Sequence, residues 1–206
     1  MSSDDLAGFR RSRPPGGLGP GMRTRGPSAW LATLRPRTEG RDGPVPSFRG
    51  RDKERAVYAD TDERSAVRDT LVRMGWYVDR RNWEGLAGEV FAETLRVDYT
   101  SLWGGEPEDI TGREQTDRWA KELGRLDSTQ HVITGVLVTV DGDEATASAN
   151  VQATLVRRDA AEGPLWANGG TYTTRMRRGP EGWRITALVT ELLWESGNSG
   201  VLTDKS

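Results

Sequence analysis

Residues 132–156 read VITGVLVTVDGDEATASANVQATLV, and this stretch decides the fold. Asp141-Gly142 sits between two long apolar-rich runs, Val132–Val140 and Glu144–Val156. An Asp-Gly pair in that setting is a strong hairpin signal, because glycine takes the positive φ that the tight turn demands. The second run alternates without a break. Ala145, Ala147, Ala149, Val151, Ala153 and Leu155 share one face, and Thr146, Ser148, Asn150, Gln152 and Thr154 share the other. Such a strand buries one face only. Further on, Gly169–Arg178 and Trp183–Trp194 flank Gly179-Pro180-Glu181-Gly182 and predict a second antiparallel pair.

Working back from the hairpin, the period changes. From Thr61, Val67, Leu71, Met74 and Val78 recur at helical spacing and predict an amphipathic helix of about five turns. Asn82 is a good N-cap for a short helix from Trp83 to Phe91. Leu95–Thr100 reads as a short strand, broken by Gly104-Gly105-Glu106-Pro107, and Thr111 caps a third helix ending at Leu123. Helices first and a meander afterwards predict an α+β fold, with helices packed on one face of a curved antiparallel sheet.

Seven of the ten prolines lie in the first 46 residues, interleaved with glycine and arginine. Residues 1–55 are therefore expected to be a disordered extension, 56–197 the folded domain and 198–206 a flexible tail. The apolar run Ala29–Leu34 is the exception within the extension, a candidate docking element. Residues 1–55 carry twelve basic and six acidic side chains, leaving the rest of a chain of net charge −2 acidic. A basic arm can touch nucleic acid or a membrane surface. This one lacks the aromatic and lysine pattern of such arms, so a solvated tail is the expectation and nucleic acid is not an expected partner.

Several function classes drop out. The chain has no cysteine, which excludes a thiol nucleophile and a disulfide framework and fits a reducing cytoplasm. No apolar run approaches the roughly 18 residues of a membrane span. There is no Walker or dinucleotide glycine loop and no metal-ligand spacing, so neither cofactor nor metal is expected. Ser101 and Ser128 lack the setting of a hydrolase nucleophile.

His131 remains, the one histidine of the chain, at the start of the β-rich run. Its side chain exchanges protons near neutrality. Asp79 is the candidate to orient it. Its helical neighbours Val72, Gly75 and Trp76 predict an apolar surrounding, and a carboxylate there needs a partner. Arg80 and Arg81 are the alternative partners. Trp103, at a strand end, is a candidate for a pocket mouth, with Trp119, Trp166 and Trp194 read as core. Tyr172 and Asn150 are lesser pocket-lining candidates, Asp98 is assigned to the surface or to loop pairing, and Arg113, Glu114, Asp117 and Arg118 to a solvated face.

Three stretches resemble the SnoaL-like branch of the nuclear-transport-factor-2-like superfamily, the scytalone dehydratases most closely. They are Tyr77-Val78-Asp79-Arg80-Arg81-Asn82-Trp83, Thr94–Ser101 with Tyr99, and Thr129-Gln130-His131 with Gly135. The resemblance spans about Asp62 to Trp194. It implies a cone-shaped α+β barrel, three N-terminal helices wrapping a curved sheet around an internal pocket. It also implies roles: His131 as general base, Asp79 orienting it, and Tyr99 polarising a substrate carbonyl. Val78 stands where the dehydratases have a second tyrosine, and Leu155 near their second histidine, so both are expected to line the pocket. A cofactor-independent lyase acting on a small cyclic or polyketide-like ketone is implied. An isomerase or cyclase using the same pair and a non-catalytic binding domain are the alternatives. Relatives associate through the outer sheet face, which implies a homo-oligomer, dimer or trimer.

Overall fold

The computed structural model describes the backbone of residues 50–203 and the side chains of residues 60–203. The expectations for residues 1–49, including Ala29–Leu34, lie outside the described residues.

Helix α1 (Gly50–Asp79) starts at Gly50 rather than Thr61, so residues 50–55 are helical and not part of a disordered arm. Val67, Leu71, Met74 and Val78 are all buried, as their spacing predicts. The helix ends in a Schellman arrangement. The Asn82 N–H donates to the Tyr77 carbonyl (2.9 Å) and the Arg81 N–H to the Val78 carbonyl (3.1 Å), with Arg81 left-handed at φ 57°. The Asn82 side chain then accepts from the Gly85 N–H and caps α2 (Trp83–Gly85), which runs into a π-helical turn, Leu86–Val90, that buries Leu86 and Val90.

Strand β1 (Phe91–Asp98) leads into α3 (Thr100–Trp103), β2 (Glu108–Thr111) and α4 (Gly112–Leu123). Thr111 caps α4 by accepting from the Glu114 N–H at 3.0 Å. Strands β3 (Ser128–Asp141), β4 (Glu144–Val156), β5 (Leu165–Gly179) and β6 (Gly182–Gly197) complete a six-stranded sheet of order β2-β1-β6-β5-β4-β3. The sheet is curved but open, with β2 and β3 at its edges, so the expected barrel is not closed. It is not wholly antiparallel either, since β1 pairs β6 in parallel, Val97 opposite Leu188. On its other side β1 pairs β2 antiparallel, Leu95 opposite Ile110, and it reaches β6 only through a long crossover, as parallel pairing requires. Strand β2 has four residues, too few to show a period in sequence.

The hairpin has the predicted register, Asp141 opposite Glu144 and His131 opposite Ala153. One feature of β3 escapes simple alternation. Gly135 takes φ 62° at a bulge between Thr134 and Leu137, where the register shifts. Before it Thr129 and Ile133 face inward with His131; after it Val136, Val138 and Val140 do, and Leu137 is left 75% exposed outside. The concave face of the sheet packs on α1 and the π turn through Leu71, Met74, Leu86, Leu95, Met176, Ile185 and Leu188.

A smaller cluster of Leu126, Ala153, Leu155, Trp166 and Val201 closes the far end. Its last member belongs to a 3-10 turn, Ser199–Leu202, so this part of the expected flexible tail is ordered by burial of Val201. No helix among the described residues is long and apolar enough to cross a membrane.

Candidate active site

The site begins with a glycine. A Cβ on Gly75 would lie 3.0 Å from Ile133 Cδ1 and 3.1 Å from His131 Cβ, so glycine lets the end of α1 press against β3. Asp79 follows one turn later on the same helix face and meets β3 at the level of His131. The neighbours invoked in sequence behave differently: Val72 and Trp76 are exposed, and the Arg80 guanidinium stacks on Trp76 at 3.5 Å. Close packing, not an apolar helix side, desolvates Asp79.

Its carboxylate accepts three hydrogen bonds. The His131 backbone N–H donates to Oδ2 at 2.7 Å, the Thr129 hydroxyl to Oδ1 at 3.0 Å, and the His131 ring contacts Oδ1 through Nδ1 at 2.7 Å. A carboxylate only accepts, so Nδ1 carries the proton and Nε2 of the neutral ring keeps its lone pair. Burial alone would raise the Asp79 pKa. The bonds from the His131 ring and backbone and from Thr129 outweigh it and hold the carboxyl below its ordinary value. Both side chains are largely shielded, 12% exposed for His131 and 16% for Asp79.

Arg81 is the alternative partner that does something else. Its guanidinium donates to the Thr129 hydroxyl (2.8 Å) and to the Val78 carbonyl (2.9 Å). It thereby holds the hydroxyl that holds Asp79, from a backbone conformation that normally favours glycine.

His131 lines a cavity of about 300 Å³. Val78, Tyr99, Trp103, Leu155 and Tyr172 line it too, while Asp79 sits behind the histidine. Trp103 is 59% exposed and lies 5.9 Å from Trp166, an aromatic pair at the rim. Asn150 is corrected: it is exposed on the outer face of β4, since strand neighbours of Ala149 and Val151 point the other way. Asp98 takes the second of its two expected roles: it is 2% exposed rather than at the surface, and it accepts from the Thr100 N–H and hydroxyl at the start of α3. Trp194 is exposed rather than core, and Arg118, assigned to a solvated face, reaches the cavity while paired with Glu108 and Glu114.

Other lining residues were not read as lining in sequence, Trp119 among them, which was read as core. Gln115, Trp119 and Leu123 come from α4 at i, i+4 and i+8, a spacing that carried the signal. Asn168 and Thr190 enter from β5 and β6. Three side-chain oxygens along this wall, Tyr99 Oη, Gln115 Oε1 and Thr190 Oγ1, are buried without a hydrogen-bond partner among the described residues. Each such atom costs about 1–3 kcal/mol. Burial pushes the Tyr99 phenol well above its usual range, and the nearby Trp119 indole, outside hydrogen-bond geometry, counters only slightly. Burial and the Asp79 charge raise Tyr172 in the same way, so both phenols stay protonated donors. Among the described residues no three His, Asp or Glu side chains converge as metal ligands.

A SnoaL-like domain model matches residues 59–189. This chain belongs to the SnoaL-like family. The Kfla4162 protein of Kribbella flavida is similar in structure, with TM-score 0.66 and 26% identity over 71% of this chain and 99% of that one. A Novosphingobium aromaticivorans protein named for scytalone dehydratase shares the fold at TM-score 0.59 and 17% identity, covering 69% and 91%. A hexachlorocyclohexane dehydrochlorinase does so at TM-score 0.55 and 18% identity, covering 75% and 97%. Further neighbours that carry nuclear-transport-factor-2-like names share the fold. No curated protein matches it.

Proposed function

We propose that this SnoaL-like protein is a lyase that removes a proton alpha to a carbonyl of a small cyclic or polyketide-like substrate and expels a neighbouring group. The observation that supports this most is the His131 ring, bonded through Nδ1 to Asp79 at 2.7 Å in the wall of a cavity that Tyr99 and Tyr172 also line. His131 takes the proton on Nε2, and the ionised Asp79 stabilises the imidazolium that forms. Tyr99, with a buried hydroxyl that bonds to nothing among the described residues, donates to the developing enolate oxygen in a site where a fixed donor counts most. The electron pair then expels hydroxide as water, which takes up the proton held by His131. Neighbours named for dehydration and dehydrochlorination, both eliminations, agree with this assignment.

An isomerase or cyclase begins with the same proton abstraction. Leu155 and Val78 at the cavity favour these outcomes, because Leu155 leaves no second histidine to assist a departing hydroxyl and Val78 no second tyrosine. The expected result for His131→Ala and for Asp79→Asn is an unchanged fold by circular dichroism and a kcat lowered roughly 10²–10⁴-fold on a ketone that the wild type converts. Full turnover in either variant rejects the pair. Binding of ketones with no conversion detected by mass spectrometry would instead make the protein a binding domain.

A further inference from the structure

Strand register sets one side chain opposite the base. His131 on β3, Ala153 on β4 and Asn168 on β5 stand in one row across the sheet, and all three line the cavity. The middle one is alanine, so nothing longer than a methyl group stands between the imidazole and the amide. The next inward neighbours of Asn168 along β5 are Trp166 and Gly170. Gly170 is bare of necessity, since a Cβ there would collide with the Glu191 carbonyl oxygen, and it leaves the cavity open beside the amide. Glu195 completes the row on β6, opposite Asn168, and its carboxylate accepts from the Trp166 indole N–H at 3.0 Å. Among the described residues the Asn168 side-chain amide takes part in no hydrogen bond.

Hydrogen bonds fix where the free nitrogen of His131 points. Strand β3 is an edge of the sheet, with β4 on one side and the end of α1 on the other. Asp79, from α1, takes both the His131 backbone N–H and the ring Nδ1. Nε2 sits across the ring from Nδ1, so it is turned away from α1 and over β4, toward Asn168. Two strand spacings separate the backbones of His131 and Asn168, roughly 10 Å. A fragment H–C–C–O that gives its hydrogen to a base and accepts a hydrogen bond at its oxygen spans roughly 7 Å between the two partners. It fits the row. The two cavity phenols stand elsewhere. Tyr172 is opposite Ala149, four residues and roughly 13 Å further along β4. Tyr99 comes from the end of β1, on the far side of β6.

We propose that Asn168 is a further catalytic residue, whose side-chain N–H donates to the departing hydroxyl oxygen of a beta-hydroxy ketone while His131 works on the neighbouring carbon. This rests on the lyase reading for the reaction and on strand register for the residue. The C–H bond alpha to the carbonyl breaks and its proton goes to Nε2. Its electron pair forms the C=C bond, the C–O bond breaks with its pair kept by oxygen, and the proton on His131 completes water. An amide suits that oxygen. Its C=O accepts the hydroxyl proton before reaction, and its N–H stabilises the charge that builds as the bond breaks. The side chains of Leu155 and Val78 can do neither.

Turnover of 3-hydroxycyclohexanone and 3-acetoxycyclohexanone by the full chain tests it. Both give cyclohex-2-enone, but acetate departs without such help and hydroxide does not. Asn168→Leu is expected to lower kcat about 10²-fold on the hydroxy ketone and less than about tenfold on the acetoxy ketone. Asn168→Asp, similar in shape but unable to donate, should lose as much on the hydroxy ketone. Titration calorimetry gives a readout that needs no turnover. In His131→Ala, 3-hydroxycyclohexanone is expected to bind about tenfold more tightly than cyclohexanone, and adding Asn168→Leu should remove the difference. Retained turnover in His131→Ala rejects the lyase reading, while that binding difference still upholds Asn168 as the group that holds the oxygen. Equal losses on the two ketones, an unchanged kcat in Asn168→Leu, or no binding difference in His131→Ala overturns the proposal.

Discussion

At the scale of single residues, the site was legible where a residue type is rare and hidden where it is common. His131 stands out as the one histidine, and the resemblance carried Asp79 to it; the 2.7 Å contact brings the two together. Thr129, Arg81, Gln115 and Thr190 are ordinary polar residues whose importance lies in which atoms they face, and no periodicity reports that. The Asp79 charge leads to an expectation for stability. Its lowered pKa adds stability above its unfolded value, near 3.9, and that stability is lost as pH falls through the depressed folded value. The stability gap between wild type and Asp79→Asn in urea should therefore be widest near neutrality and narrow below about pH 4. A gap that stays constant from pH 7 to pH 3 would mean that the carboxylate charge carries none of it.

At the scale of elements, the β4 alternation and the Asp-Gly turn were read directly because a half-buried strand writes its faces into sequence. The bulge in β3 was not, because a single glycine there exchanges the two faces of everything after it. Val136, Val138 and Val140 replace the odd-numbered residues on the inside, and Leu137 is left out. Gly135→Ala should cost about 1–2 kcal/mol in denaturant unfolding, since the added Cβ disfavours φ 62°. An unchanged midpoint would show that β3 can re-register around the loss. The end of α1 makes a complementary comparison. Arg81→Gly and Arg81→Ala both remove the guanidinium from Thr129, but only glycine relaxes the left-handed backbone. The glycine variant should be more stable by about 1 kcal/mol, with activity lowered alike in both. If alanine is as stable as glycine, the backbone there is not strained.

At the scale of the whole molecule, the α+β class followed from the order of helical and alternating patterns, whereas the open, partly parallel sheet did not. Pairing partners far apart in sequence, such as Val97 with Leu188, leave no local mark. The outer face of that sheet is where the proposed homo-oligomer would form. On β4 it carries the uncharged set Thr146, Ser148, Asn150, Gln152 and Thr154. Beside these, β3 contributes Val132, 45% exposed opposite Gln152, and Leu137, opposite Ser148. A face bearing exposed leucine and valine, with the charge of β4 confined to Glu144 at its first residue, suits contact with a second copy better than contact with water. The full chain is expected to scatter light as a dimer or trimer at micromolar concentration. Leu137→Glu places a charge in the middle of the face without touching the cavity, so it should bring the mass to that of one chain while leaving the circular dichroism unchanged. Wild type already at the mass of one chain would reject the assembly. A Leu137→Glu variant that keeps the larger mass would move the interface away from β3.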